Sequence, residues 1–213
     1  MNNLLNTHMQ QQFGDFLLTD AVRPGPGVPI VPTEGYRINR FRDAETGVSL
    51  PVLGISASAD KVFEVFFDLL DLLGDRAHAV LETSHDAGGD RHVDLRRGDI
   101  DLPVLMSHFC DFEALLLNDG FTGVAVVAAD KRMEVQLDEH KLLFVYARNL
   151  KPFRRVLRGH GIELVPELRL ISEAAHLHHS QPHFSDEFNQ LAARMGAADF
   201  DSVLSDENGM AEW

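Results

Sequence analysis

Two pairs of strand-like segments, each followed by an apolar helix, constrain the fold of this chain more than any other feature. The strand-like segments are residues 36–41, 48–55, 77–85 and 92–96, and each pair is separated by a turn-rich stretch. Apolar residues at spacings of three and four predict helices at 59–74 and 102–118. Because strands joined by short turns pair antiparallel, we expect an α+β fold: a two-layer sandwich with a largely antiparallel sheet, helices on one face and extra C-terminal helices.

The rest of the chain divides into an arm, a linker, more of the same domain and a tail. Further strands are predicted at 124–128, 133–137 and 142–146, and further helices at 149–159, 168–178 and 185–195. The predicted organisation is a helical arm at 1–20, a Pro/Gly-rich linker at 21–35, one α+β domain at 36–198, and an acidic flexible tail at 199–213. The arm either docks on a neighbouring molecule or folds back on its own domain.

Charge and composition exclude several classes of protein. With 19 Lys and Arg against 33 Asp and Glu, the net charge is −14, which disfavours nucleic acids as partners. No stretch approaches the roughly 20 apolar residues of a membrane span. Met1 to Leu18 has no basic residue and no signal-like apolar run, so we expect a cytoplasmic protein. The single cysteine, Cys110, cannot form an internal disulfide and is expected to be buried.

The densest group of metal-ligating residues is a histidine cluster near the carboxyl end. Four of the eleven histidines fall within eight residues: His176, His178, His179 and His183. Imidazole is the commonest ligand for zinc and other transition metals, so the cluster is a candidate metal site. Pro182 is expected to interrupt the helix before His183, and no Cys or close carboxylate completes a four-ligand set locally. The alternative is a polar connection between two helices.

A second candidate site lies on one face of the 77–96 hairpin. A reversal centred near Gly88 places Glu82 opposite Asp94, with His92 close by on the same face. Facing carboxylates raise one another's pKa, so Glu82, His92 and Asp94 could provide acid/base or metal-binding chemistry. The alternative is an exposed, solvated strand face.

The third candidate is a basic stripe on the helix predicted at 149–159. The basic stripe consists of Arg148, Lys151, Arg155 and Arg158, at spacings of three, four and three. It could bind a phosphate or carboxylate ligand, or it could face the acidic strip of another copy of the chain. The acidic strip is formed by Asp60, Glu64, Asp68 and Asp71. The alternative is again a solvated helix face.

Three hypotheses for function follow from these patterns. The sequence has no P-loop, GxGxxG, GxSxG, HExxH or CxxC motif. The leading hypothesis is therefore a non-enzymatic cytoplasmic binding or interaction module that self-associates into a homo-oligomer. The alternative is a metal-dependent hydrolase, or another small-molecule enzyme, that uses one of the two His/carboxylate sites. A third possibility is an anion-binding regulatory domain built on the basic stripe.

Overall fold

A computed structural model gives the fold of residues 10–28, 30–42, 47, 49–85, 92–129 and 133–199. Within these residues the main sheet has eight strands, and every neighbouring pair is antiparallel. The strands are β4 (Gly35–Arg42), β5 (Ser49–Ser56), β6 (Arg76–Thr83), β7 (Val93–Asp101), β8 (Thr122–Ala128), β9 (Glu134–Leu137), β10 (Leu143–Tyr146) and β12 (Ala198–Asp199). They lie in the order β12-β7-β6-β8-β9-β10-β5-β4.

Five α-helices in the described part of the chain accompany the sheet. They are α1 (Val62–Leu70), α2 (Leu102–Asp111), α3 (Glu113–Asn118), α4 (Lys151–Gly159) and α5 (Pro182–Met195). A 3-10 turn, Asp71–Leu73, continues α1, and the helix predicted at 102–118 is divided into α2 and α3 at Phe112. Pro182 begins α5 instead of interrupting a helix, because the first turn of a helix needs no donor at that position.

All five helices pack on one face of the sheet. Their largest buried side chains include Phe66, Phe109 and Phe153, and they share one apolar cluster with the inward residues of the central strands. Phe66 and Phe109 pack with their ring centroids 5.9 Å apart. The predicted α+β sandwich with an antiparallel sheet is therefore confirmed.

The opposite face of the sheet carries a smaller apolar cluster. Successive residues of a strand point to opposite faces, so Phe144 of β10 points away from the helices and contacts this second cluster. The cluster is formed by Phe16, Leu18, Val22, Leu142, Leu168, Leu170 and Ile171. Two small sheets contribute to it: a hairpin of β1 (Gln12–Phe13) and β2 (Phe16–Leu17), and a pair of β3 (Val22–Pro24) and β11 (His176–His178).

The small sheets correct three expectations for the two ends of the chain. The described part of the predicted helical arm forms the β1–β2 hairpin, while residues 1–9 lie outside the described residues. The predicted linker contains β3, whose residues are buried. The helix predicted at 168–178 is wrong, since this segment forms a 3-10 turn at Ile171–Glu173 and the strand β11.

Cys110 is exposed, contrary to expectation, because it lies on the outer face of α2 beside the buried Phe109. The predicted tail lies outside the described residues beyond Asp199, which ends β12. Across the described part of the chain, no helix combines the length and apolar character that a membrane span requires.

Candidate metal centre

Three histidines from two distant parts of the chain meet on the second face of the sheet. His140 lies in the turn between β9 and β10, whereas His176 and His178 lie on β11. One nitrogen atom from each imidazole lies within 4.8 Å of those of the other two, and in the part of the chain that the structure describes this is the one such group of three potential metal ligands. All three side chains are partly buried.

Strand geometry explains why the side chains of His176 and His178 lie on the same side of β11. In a strand, residues two apart share a face, so both imidazoles point towards His140, while Leu177 points to the other side. β11 is held antiparallel to β3, with His176 opposite Pro24 and His178 opposite Val22. The same His-x-His spacing in a helix would have placed the two side chains on different faces.

The outer nitrogen of each imidazole has a hydrogen-bond acceptor that fixes its tautomer. His176 Nδ1 donates to the carbonyl oxygen of Ala174 at 2.7 Å, and His178 Nδ1 donates to that of Gly120 at 2.6 Å. His140 Nδ1 donates to Asp138 Oδ2 at 2.9 Å. Carbonyl and carboxylate oxygens accept these hydrogen bonds, so each Nδ1 atom carries a proton, and a ring in its neutral form then presents the lone pair of its Nε2 atom.

The three Nε2 atoms converge at the separations of a metal site. His176 Nε2 lies 2.9 Å from His140 Nε2 and 3.0 Å from His178 Nε2. At this distance two imidazole nitrogens share either a proton, in an N–H···N hydrogen bond, or a metal ion, because two bare lone pairs would repel each other. In a tetrahedral zinc site with Zn–N bonds of about 2.0–2.1 Å, the nitrogens lie about 3.3 Å apart. The rings are thus arranged as for a shared ion, and burial lowers the pKa of His178, which favours its neutral form.

The turn that carries His140 is built around the Asp138 carboxylate. Asp138 Oδ1 accepts hydrogen bonds from the backbone N–H groups of His140, at 2.9 Å, and Leu142, at 2.8 Å. Lys141 completes the turn in a left-handed conformation, with φ 60°, and its Nζ donates to the Thr122 carbonyl oxygen at 2.6 Å. Burial lowers the pKa of Lys141 to about 8. The turn is therefore held by two side chains. The Asp138 carboxylate binds its backbone, and the buried Lys141 ammonium group binds the first residue of β8.

A buried polar network fixes the neighbouring loop, which supplies the carbonyl group that binds His178. Asp119 is fully buried, and its Oδ2 atom lies 2.7 Å from His85 Nε2 and accepts the Thr122 hydroxyl hydrogen at 2.5 Å. The next residue, Gly120, donates its N–H to the His179 carbonyl oxygen at 2.7 Å. Gly120 therefore makes two hydrogen bonds to this segment, one to the backbone of His179 just after β11 and one to the side chain of His178.

Glu139 connects the histidines to the hairpin face predicted as a second site. One of its carboxylate oxygens lies 4.0 Å from His178 Nε2, and the other lies 3.8 Å from His92 Nδ1. Glu82 and Asp94 are directly opposite each other on β6 and β7, in the predicted register. Burial, and then the Asp94 charge, raises the pKa of Glu82, with smaller contributions from other nearby carboxylates. The structure thus places the two candidate sites side by side.

Gly123 makes this proximity possible. It lies opposite Glu82 on β8, and a Cβ atom at this position would be 3.1 Å from Glu82 Oε2 and 3.5 Å from the Glu139 backbone nitrogen. A larger residue would fill the space between the hairpin and the β9–β10 turn. The carboxylates of Glu82, Asp94 and Glu139 make the face beside the three histidines acidic.

Two of the four histidines predicted as ligands lie elsewhere. His179 is exposed and is held through its backbone, which donates to the Ala21 carbonyl oxygen at 2.8 Å. His183 is exposed at the start of α5 and packs against Phe184, with ring centroids 4.3 Å apart. The basic stripe is also remote from the centre, on α4 and the residues just before it, which pack on the helical face of the sheet.

Sequence reasoning missed His140 as a candidate ligand, together with Asp138 and Glu139, which precede it in the same turn. His140 is 36 residues from His176 in sequence, and nothing in the local pattern connects them. One local signal was present: an aspartate two residues before a histidine, in a turn between strands, can hold both the turn and the imidazole.

Comparison with known proteins does not extend this description. No protein-family model matches the chain, and no curated protein or solved structure is significantly similar to it.

Proposed function

We propose that this protein binds one transition-metal ion, with Zn²⁺ as the best-fitting candidate, through His140, His176 and His178, and that it is a metal-dependent hydrolase. The observation that carries the proposal is the convergence of three Nε2 lone pairs whose Nδ1 atoms are all bound to acceptors. Acceptors of this kind orient the imidazole ligands of metal proteins and increase their basicity. An all-nitrogen, neutral ligand set favours zinc over magnesium or calcium.

Among the residues that the structure describes, the group has three candidate protein ligands, which supports a catalytic role better than a structural one. Structural zinc sites have four protein ligands, whereas catalytic sites keep one position for water. Zinc bound in this way lowers the pKa of a coordinated water to about 7 and supplies hydroxide as a nucleophile. The side chain of Glu139 is partly exposed beside His178 and can accept a hydrogen bond from such a water.

The acidic surroundings indicate which substrates are compatible with the site. Glu82, Asp94 and Glu139 would repel a phosphate ester, so the proposal is restricted to uncharged carbonyl compounds such as carboxylic esters. We place this activity in the cytoplasm, in keeping with the sequence-based expectation. This proposal departs from the leading sequence hypothesis of a non-enzymatic module, whereas the self-association in that hypothesis is compatible with it and concerns another surface.

The first prediction is that metal binding depends on three particular histidines. Untagged protein dialysed against zinc should retain one equivalent of metal by mass spectrometry, and alanine at His140, His176 or His178 should leave it essentially empty when a competing chelator is present. The matched controls are His179→Ala and His183→Ala, which make the same change at exposed residues of the same cluster. Equal metal content in all five variants would show that the metal binds elsewhere.

The second prediction separates catalysis from binding. Zinc-loaded protein should accelerate the hydrolysis of 4-nitrophenyl acetate, and Glu139→Gln should retain its zinc while kcat falls at least about tenfold. Glu163→Gln, an exposed glutamate remote in sequence, is the control. If the zinc-loaded protein does not exceed free zinc in buffer, the hydrolase proposal is wrong, whereas the metal site would stand on the first measurement.

A further inference from the structure

The basic stripe presents an unusual concentration of positive charge. Phe153 and Leu157 turn one side of α4 into the core, which leaves Lys151, Arg155 and Arg158 exposed on the other side. With Arg154, these residues line an open surface groove. The segment from Arg148 to Arg158 contains five cations and no carboxylate in a chain whose net charge is −14.

These cations have no acidic partner in their own molecule, within the residues that the structure describes. Lys151, Arg155 and Arg158 take part in none of the ion pairs found there. Arg154 donates its Nε–H to the Tyr36 hydroxyl at 3.1 Å, which is a neutral partner. The stripe is thus an unneutralised surface on an otherwise acidic protein.

The acidic strip lies on the neighbouring helix. Glu64 and Asp68 are exposed on α1, and Asp71 is exposed in the 3-10 turn that continues it. α1 contacts α4, and Asp68 Oδ2 lies 2.7 Å from Nε2 of His160, the residue that follows α4. The two charged surfaces therefore lie next to each other in one helical layer, and each faces solvent.

The last three of the four charges on each surface have the same spacing. Glu64, Asp68 and Asp71 are separated by four and three residues, and so are Lys151, Arg155 and Arg158. Each set therefore forms one row on its helix, of closely similar length. A two-fold axis that runs between α1 and α4 would place the acidic strip of each molecule against the basic stripe of the other.

We propose that the occupant of this surface is a second copy of the same chain, in a symmetric dimer held by α1 of each molecule against α4 of the other. A two-fold interface uses the same patch on both molecules, so it needs a patch that is complementary to itself. The α1–α4 surface meets this requirement because it carries both signs. In most other orientations two molecules of charge −14 repel each other, so the charges also select this arrangement.

Charge-swap variants test the dimer directly by sedimentation velocity. At about 25 mM salt the wild-type protein should sediment at twice its 23.8 kDa chain mass, and about 500 mM salt should dissociate it. Arg155→Glu with Arg158→Glu, and separately Glu64→Lys with Asp71→Lys, should each weaken dimerisation at least about tenfold. EDTA in a parallel series excludes cross-linking through histidine-bound metal.

Two comparisons make the result specific. An equimolar mixture of the two charge-swapped variants should dimerise again, because each then meets a complementary partner. Arg40→Glu with Arg42→Glu changes the net charge by the same amount as the first variant, but on the exposed edge strand β4, and should leave the dimer intact. A monomeric wild type at low salt, including one that binds inorganic phosphate at the stripe, or swapped variants that do not recombine, would overturn the proposal.

Discussion

Asp138→Asn is expected to weaken zinc binding about 100-fold while leaving the fold intact. In the wild-type protein Asp138 Oδ1 accepts the two backbone N–H groups of the turn, and Oδ2 accepts the proton of His140 Nδ1. An asparagine that keeps the backbone hydrogen bonds presents its NH₂ group to Nδ1. Since two donors cannot bind each other, His140 would move its proton to Nε2, and that nitrogen would lose the lone pair that a metal needs.

The measurement is a zinc titration against a competing chelator, together with nitrogen chemical shifts that report the tautomer of His140. Asp94→Asn is the matched control, because it removes the same charge on the same face of the sheet. If both variants bind zinc with the same reduced affinity, the charge matters and the tautomer does not. If Asp138→Asn binds as tightly as the wild type, the assignment of His140 as a ligand is wrong.

Much of the fold was predictable because its contacts are local. The β6–β7 pairing of Glu82 with Asp94 follows from the centre of the hairpin alone, since the register of a hairpin is fixed by its turn. The helices α1 and α4 were predicted to within a few residues, because apolar periodicity reports the face that packs on the sheet. Each of these features is decided by residues close together in sequence.

The segment 168–178 was mispredicted because its partners are distant. Leu168 and Ile171 have helical spacing, but they are buried under the second face of the sheet against residues such as Phe16. Glu173 forms an ion pair with Arg37 at 2.6 Å, and His176 pairs with β3 from the other end of the chain. Tertiary contacts of this kind outweigh local propensity, and no local pattern records them.

The candidate site was half predictable for the same reason. The concentration of histidines included two members of the group that the structure brings together, His176 and His178, but the choice of a helix grouped them with His179 and His183, which lie elsewhere. A strand interpretation would have grouped the His-x-His pair and left one candidate ligand to be found elsewhere. The third histidine, His140, becomes a neighbour only when β11 and the β9–β10 turn meet in space.

Gly120 is important both for the fold and for the proposed metal site, since it contacts the segment that contains β11 and binds His178. A Cβ atom at this position would lie 2.3 Å from the Ala21 carbonyl oxygen and 2.8 Å from that of His179. Both neighbours are backbone atoms, so a side-chain rotation cannot relieve the overlap. The Gly120 carbonyl oxygen also accepts the Nδ1 proton of His178. Any shift that makes room for a methyl group therefore disturbs the contact between the Gly120 loop and the segment that carries His178.

Gly120→Ala should accordingly lower the free energy of unfolding by about 3 kcal/mol or more and abolish stoichiometric zinc binding. The stability loss should persist in metal-free protein, which distinguishes it from His176→Ala, a variant that loses zinc without a clash. Gly159→Ala is the control, because a methyl group added there, at the end of α4, would meet no atom within 4 Å, and it should be neutral or slightly stabilising. Urea unfolding and zinc titration measure both effects. If Gly120→Ala retained wild-type stability with one bound zinc, then β11 would not need its close contact with Gly120 to hold the two histidines in place.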